Sequence, residues 1–127
     1  MPPSALHEFA ARSTEEVFED HLRLRVENQL EEDLARNYAE DVILLTVNSN
    51  ACGHDAIRMS AARLADQLPE PRFEFIAEQV RDRFALLIWR ATSDRFDAIV
   101  GADSFVIEGG LIRLQTIHYR LENERTP

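Results

Sequence analysis

The end of the chain contains two strand-like runs, Phe96 to Ile107 and Leu111 to Leu121, separated by the turn signal Gly109-Gly110. Apolar runs around a glycine turn predict an antiparallel hairpin. Asp103 lies inside the first run, although aspartate is disfavoured in strands. Either a structural partner or a chemical task must compensate for it, so we expect a site at Asp103.

The sequence pattern that begins at Ser13 is typical of an amphipathic helix. Ser13 to Glu16 has the spacing of a capping box, which predicts a helix start. Apolar residues then recur every three or four positions and predict one stripe against a core. These residues are Val17, Phe18, Leu22, Val26 and Leu30.

Two further helices are predicted before the strand-rich part of the chain. One spans about Asp33 to Ala39 and buries Tyr38. The other spans Ala56 to Leu68, and His54 or Asp55 can cap its start.

Strand-like runs dominate the rest of the chain: Asp41 to Asn48, Arg72 to Val80, Phe84 to Thr92, Phe96 to Ile107 and Leu111 to Leu121. Helices followed by such runs predict an α+β domain, with helices packed over one face of a strongly bent, mostly antiparallel sheet. We expect one domain at residues 13–122, with short tails at 1–12 and 123–127.

The run Phe84 to Trp89 is apolar on both of its faces. One face would meet the helices, and the other needs a cover that this chain has no further helix to provide. An exposed apolar sheet face tends to associate, so we expect a homodimer formed through the outer face of the sheet.

A formal net charge of -9, with no lysine, argues against nucleic acid and anionic membranes as partners, because both bind cationic surfaces. Met1 to Ser4 offer neither a basic region nor an apolar core, so no export signal is expected, and the apolar run Phe84 to Trp89 is too short to span a bilayer. A single cysteine, Cys52, suits a reducing compartment, so a cytoplasmic location is expected. The acidic residues between Glu15 and Asp41 are interpreted as a solvated helix face.

Several short motifs follow one another along the chain: Tyr38-Ala39-Glu40-Asp41-Val42, Gly53-His54-Asp55-Ala56-Ile57-Arg58, Arg72-Phe73-Glu74-Phe75, Trp89-Arg90-Ala91-Thr92 and the hairpin from Asp103 to Tyr119. Their order resembles the SnoaL-like branch of the nuclear transport factor 2-like superfamily. The resemblance implies a cone-shaped, cystatin-like α+β domain, usually dimeric, with a pocket between sheet and helices. That superfamily includes polyketide cyclases, steroid isomerases, epoxide hydrolases, dehydratases and non-catalytic binding domains.

The resemblance assigns roles position by position. In the steroid isomerases, a late-strand aspartic acid and a helical tyrosine polarise a carbonyl, while another aspartate moves the proton. The resemblance places Asp103 at the late-strand acid, Leu22 at the tyrosine and Thr46 at the base. The acting aspartate of the cyclases and epoxide hydrolases falls on Ile117, and a histidine of some cyclases falls on Gln115. It therefore implies an apolar pocket with one surviving acid, suited to a small apolar molecule.

Asp103 in an apolar wall would have a raised pKa and could act as a neutral hydrogen-bond donor. The alternative is a structural carboxylate bonded to backbone amides or to an arginine. The side chains expected to contact a ligand are Tyr38, Thr46, Asn48, Trp89, Phe105, Gln115, Ile117 and Tyr119. Core packing is the competing interpretation for Tyr38 and Trp89, and a turn for Asn48.

Histidine and cysteine positions add little to this site. His118 has the opposite strand parity to Ile117, so it is interpreted as a core or interface histidine rather than a catalytic base. Cys52 and His54 have no second ligand pair at a useful spacing, so neither a metal nor a cofactor is expected. His21 has no supporting residues in the sequence around it.

Two functions stay open. The first is a small-molecule enzyme of isomerase, cyclase or dehydratase type, acting on a small apolar carbonyl or hydroxyl compound with Asp103 as hydrogen-bond donor or acid. The second is a non-catalytic domain that binds a small ligand or dimerises. The retained Asp103 favours the first, and the absence of an evident general base favours the second.

Overall fold

The computed structural model describes residues 11–125, and the predicted domain limits and tails stay predictions. Three helices occupy this part of the chain: α1 at Thr14–Val26, α2 at Leu30–Asn37 and α3 at His54–Gln67. Six strands accompany them: β1 at Tyr38–Thr46, β2 at Asn50–Cys52, β3 at Arg72–Arg81, β4 at Phe84–Thr92, β5 at Asp97–Glu108 and β6 at Leu111–Glu122. The predicted α+β class is confirmed.

The six strands form one open sheet in the order β2-β1-β6-β5-β4-β3. Only β1 and β6 pair in parallel among these strands, and every other pair is antiparallel. The sheet is therefore mostly antiparallel, as predicted. Within residues 11–125, none of the helices is long and apolar enough to cross a lipid bilayer.

Helix α1 begins as its sequence predicts. The Ser13 hydroxyl accepts from the Glu16 amide, and the Glu16 carboxylate accepts from the Ser13 amide. The helix ends at Val26, so the prediction that one stripe continues to Leu30 is wrong. Asn28 adopts a left-handed conformation with φ of 57°, which closes the helix with paired backbone hydrogen bonds and turns the chain toward α2.

The next elements differ from prediction at their ends. Helix α2 starts at Leu30 rather than Asp33, and the chain is already extended at Tyr38, where β1 begins. Helix α3 has Gly53 at its N-cap, with φ of 97°, and no side-chain cap, so capping by His54 or Asp55 is wrong. The short strand β2 was not predicted, because the sequence from Asn48 to Asn50 is typical of a turn.

The two faces of the sheet differ in exposure. In β4, Ala85, Leu87 and Trp89 are buried on the inner face, whereas Phe84 and Leu86 are 48% and 37% exposed on the outer face. The strand therefore has the uncovered apolar face that its sequence indicates. Homodimerisation through that face stays a prediction.

The closing hairpin matches the sequence closely. Gly109 and Gly110 both have positive φ at the turn between β5 and β6. Alternate residues of β5 point inward, and Asp103 is buried on the same face as Phe105. The predicted register of Asp103 is confirmed, so this side chain lies among the apolar residues that face the helices.

Candidate functional site

A small cavity of about 80 Å³ lies between the inner face of the sheet and helices α1 and α3. Its wall is mostly apolar, and its polar side chains are His21, Arg25, Tyr38, Ser60, Trp89, Asp103, Gln115 and Tyr119. Ligand sites of drug size usually measure about 300–1,000 Å³, so this cavity suits a small group.

Strand register brings the donors for Asp103 to its two sides. Asp103 lies opposite Leu87 of β4 and Ile117 of β6, and residues two places along each strand share its face. The Trp89 ring Nε1 donates to Asp103 Oδ1 at 3.0 Å, and the Gln115 Nε2 donates to Asp103 Oδ2 at 3.0 Å. Within residues 11–125 no arginine pairs with this carboxyl group, so the alternative of a saturated arginine pair fails.

Gln115 is itself held in place by Tyr38. The Tyr38 hydroxyl donates to Gln115 Oε1, which leaves the amide nitrogen directed at Asp103. Burial raises the pKa of Tyr38 well above its usual range, so this hydroxyl stays protonated at neutral pH. The three side chains form one buried polar chain that fixes the Asp103 carboxyl group.

Burial also raises the pKa of Asp103 to about 6, and the Trp89 and Gln115 donors offset only part of that rise. Each carboxyl oxygen has two lone pairs, and one protein donor occupies only one of them. Asp103 can therefore hold a proton in slightly acidic solution and donate it to an oxygen in the cavity, or accept a hydrogen bond when ionised.

His21 lines the same cavity from helix α1 and forms a buried pair with Asp33 of α2. The distance from His21 Nδ1 to Asp33 Oδ2 is 2.8 Å, and the two side chains are 4% and 0% exposed. An ionised carboxylate only accepts, so Nδ1 carries a proton, and whenever the ring is neutral its lone pair is on Nε2. Within residues 11–125, Nε2 has no hydrogen-bond partner, so it is available to a ligand.

A second polar chain supports this pair from behind. Asn37 Nδ2 donates to Asp33 Oδ1 at 2.9 Å and to Asp20 Oδ2 at 2.9 Å. Arg12 donates to Asn37 Oδ1 at 2.9 Å. The Asp33 carboxylate therefore has a fixed orientation, which in turn fixes the tautomer and ring plane of His21.

The structure brings most of the predicted ligand contacts together. Besides Asp103, the cavity wall contains Tyr38, Trp89, Gln115, Ile117 and Tyr119. Leu22, at the tyrosine position of the steroid isomerases, lies there as well. Tyr119 donates to Gln67 Oε1 at 2.5 Å, and this bond ties β6 to helix α3 at the edge of the site.

Three predicted contacts lie elsewhere. Thr46 Oγ1 accepts from the Asn48 backbone amide at 3.0 Å, so both residues serve the turn after β1 rather than the cavity. Phe105 has the predicted parity, but its ring packs against Phe18 and His21 beneath the cavity wall. None of the three lines this cavity, and their assignment as ligand contacts stays a prediction.

The His21–Asp33 pair was missed because its members come from different helices. His21 follows Val17 by four residues and Phe18 by three, so it lies on the buried side of α1. The sequence signal that could have revealed it is a histidine on the apolar stripe of α1, because a buried histidine needs a polar partner. Asp33 was counted in the solvated acidic face, yet it is fully buried.

The other histidines and the cysteine are remote from this chemistry. His118 is exposed on the outer face of β6, away from the cavity, as its parity predicts. Its interpretation as a core histidine is therefore wrong, and an interface role stays a prediction. His54 Nε2 lies 3.1 Å from the Tyr38 carbonyl oxygen, and Asp55 pairs with Arg58. Cys52 is exposed.

We expect the Asp103→Asn variant to fold, and its free energy of unfolding to lack a dependence on pH that the wild type shows. The Asp103 pKa is about 4 in the unfolded chain and about 6 in the folded protein, so the folded state binds this proton more tightly. The free energy of unfolding should therefore fall by about 3 kcal/mol as the pH rises from about 4 to about 6. The new amide fits if Gln115 flips and Tyr38 accepts instead of donating. Urea titrations at several pH values measure the difference.

The exposed Asp94→Asn variant controls for the loss of one negative charge. It is expected to keep the wild-type dependence of stability on pH. A loss of several kcal/mol in Asp103→Asn at neutral pH would instead identify Asp103 as a structural carboxylate.

Comparison of the sequence with protein-family models and with curated proteins finds no match. Solved structures do resemble the chain. A candidate polyketide cyclase from Sinorhizobium meliloti has a TM-score of 0.69 at 18% identity, covering 81% of this chain and 94% of that one. A candidate ketosteroid isomerase from Kribbella flavida has a TM-score of 0.68 at 17% identity, covering 90% and 82%.

A nuclear transport factor 2-like protein of unknown function from Burkholderia pseudomallei has a TM-score of 0.68 at 12% identity, covering 84% of this chain and 90% of that one. A SnoaL-like isomerase candidate from Agrobacterium tumefaciens scores 0.58 at 16% identity, covering 75% and 83%. Similarity at these identities concerns the fold. The resemblance seen in the motifs is thereby confirmed at that level, and the chain has the nuclear transport factor 2-like fold.

Proposed function

We propose that the protein is a small-molecule enzyme that moves a proton next to a carbonyl group, as an isomerase or a dehydratase. One observation carries this proposal: His21, which pairs with the buried Asp33, lines the same small cavity as Asp103. A base and an acid on one cavity wall are the two groups that such chemistry needs. The similarity in fold to isomerase and cyclase candidates supports the same reaction class.

In this proposal, His21 Nε2 takes a proton from the carbon beside the substrate carbonyl. The electron pair of that bond forms a carbon–carbon double bond, and negative charge develops on the carbonyl oxygen. Protonated Asp103 donates to that oxygen, while Asp33 stabilises the positive charge gained by His21. Return of the proton from His21 to another carbon completes an isomerisation. In a dehydration, the enolate restores the carbonyl and expels the β-hydroxyl group, which leaves as water with the proton held by His21.

The apolar part of the cavity wall defines what else the substrate carries. The cavity that holds the polar groups is also lined by Leu22, Ile57, Phe73, Phe75 and Leu87, and a ligand packed among them would displace water. Exclusion of water strengthens the interaction between the developing charge and the groups that face it. The substrate is thus a small, mostly apolar carbonyl or hydroxyl compound.

We expect the wild-type protein to accelerate exchange of deuterium from heavy water into butanone and loss of water from diacetone alcohol. NMR measures both reactions. His21→Gln is expected to lower either rate by at least about 100-fold, since a positioned general base contributes at least this much. Asp103→Asn is expected to lower the same rates.

The matched control is His118→Gln, which replaces an exposed histidine on the outer face of the sheet. It should leave the rates unchanged. Acceleration that survives intact in His21→Gln would refute the assigned base. Binding of these ketones to the cavity without any turnover would favour the second candidate, a non-catalytic ligand-binding domain. The supporting observation for that candidate is that each Asp103 oxygen already accepts one hydrogen bond from the protein.

A further inference from the structure

Arg25 lies one helical turn after His21 on α1 and lines the same cavity. It also lines a wider groove of about 560 Å³ that runs beside the cavity between α1, α3 and the start of β3. Val26, Ala61, Leu64 and Phe73 border both spaces. Arg25 therefore lies where the cavity meets the groove, and we call this boundary the entrance.

Within residues 11–125, the Arg25 side chain makes no hydrogen bond and no salt bridge. The arginines near it are engaged. Arg23 pairs with Asp20 and Glu27, and Arg58 pairs with Glu31 and Asp55. In a chain with a formal net charge of -9, a half-buried cation left without a carboxylate at a cavity entrance requires an explanation.

The charge of Arg25 reaches the polar groups of the cavity. Burial is the main influence on the pKa of Asp103 and of Tyr38, and Arg25 acts against it by lowering both values. A negative group held at Arg25 would thus lie close to the acid and base assigned above. Those groups would act on the neighbouring carbon atoms of the same small molecule.

We propose that the substrate is a short carboxylic acid whose carboxylate binds Arg25 at the entrance, with its carbonyl or hydroxyl group held inside between His21 and Asp103. The inference rests on the function proposed above and specifies its substrate class. A planar guanidinium matches a carboxylate through paired hydrogen bonds. Phosphate would call for more positive charge, and the other arginine of the groove, Arg58, is already held by two carboxylates. The cavity volume of about 80 Å³ limits the inner part of the ligand to a few heavy atoms.

Binding can be measured without turnover, because the single tryptophan, Trp89, lies in the cavity wall and reports on it by fluorescence. Hexanoate and the uncharged hexanamide serve as matched probes. Wild-type protein is expected to bind hexanoate at least about tenfold more tightly than hexanamide, the value of one charge-assisted hydrogen bond. Arg25→Gln is expected to abolish that preference, and Arg25→Lys to retain part of it.

Arg23→Gln is the matched control, because this residue is on the same helix and lines neither the cavity nor the groove. It should bind hexanoate as the wild type does. Equal affinity of the wild type for both probes, equal losses for both probes in Arg25→Gln, or competition by inorganic phosphate as strong as by hexanoate would overturn the proposal. His21→Gln separates the two proposals: it should retain the Arg25-dependent preference for hexanoate even though proton transfer is lost.

Discussion

Replacing Asp33 with alanine is expected to lower the free energy of unfolding by about 4 kcal/mol, because two buried donors lose their acceptor at a cost of about 1–3 kcal/mol each. Asp33 is fully buried and accepts from His21 Nδ1 and from Asn37 Nδ2. Alanine would leave both donors in the core without an acceptor, and desolvated donors without partners are costly. Urea denaturation followed by circular dichroism measures the effect.

The neighbouring residue offers a matched control. Glu32 is on the same helix and forms an exposed pair with Arg36, so Glu32→Ala should change the stability by less than about 1 kcal/mol. Asp33→Asn keeps one acceptor oxygen and should fall between the two. If Asp33→Ala were as mild as Glu32→Ala, the carboxylate would not be the acceptor for His21, and the assignment of His21 as an oriented base would lose its basis.

Gly101→Ala is expected to cost about 3 kcal/mol, the upper part of the usual range for overpacking. A Cβ atom at Gly101 would lie 2.5 Å from atoms of the Trp89 ring and 2.6 Å from the Trp89 carbonyl oxygen. The ring covers the glycine directly, which is how its Nε1 reaches Asp103. An added methyl group must push the ring aside or move the β4 backbone, so the Asp103 hydrogen bond is lost together with the packing.

The displacement should be visible in the near-ultraviolet circular dichroism of Trp89, and the stability loss in its urea transition. Ser104→Thr adds one methyl group to the exposed outer face of the same strand and should change the stability by less than about 0.5 kcal/mol. A variant at Gly101 with wild-type stability and spectrum would show that Trp89 does not rest on the glycine.

The surroundings of Asp103 and the His21–Asp33 pair differ in how far the sequence could predict them. Asp103 and its neighbours on β5 were placed correctly, because alternation in a strand has a period of two and the Gly109-Gly110 turn sets its phase. The observed register puts Gln115 and Trp89 on the same inner face as Asp103. Thr46 obeyed the alternation but lies at a strand end, where its hydroxyl bonds to the following turn.

The His21–Asp33 pair follows no such local rule. Its members are twelve residues apart on helices α1 and α2. They meet because the chain reverses direction at Asn28. The predicted helix continued to Leu30, whereas α1 ends at Val26. The sequence therefore could not predict that Asp33 packs behind His21. A periodic pattern identifies which face of a helix is buried, but not which residue of the next helix packs against it.

The chain's local patterns thus decided the α+β class, the closing hairpin and the inward orientation of Asp103, because capping, turn and alternation are properties of neighbouring residues. The acid–base character of the cavity was decided only in three dimensions. Asp33 orients His21, and Trp89 and Gln115 donate hydrogen bonds to Asp103. The Arg25 side chain makes no hydrogen bond or salt bridge within residues 11–125. Each of these relations joins elements that are distant along the chain, and only the packing of α1 and α2 against the sheet brings them to one site.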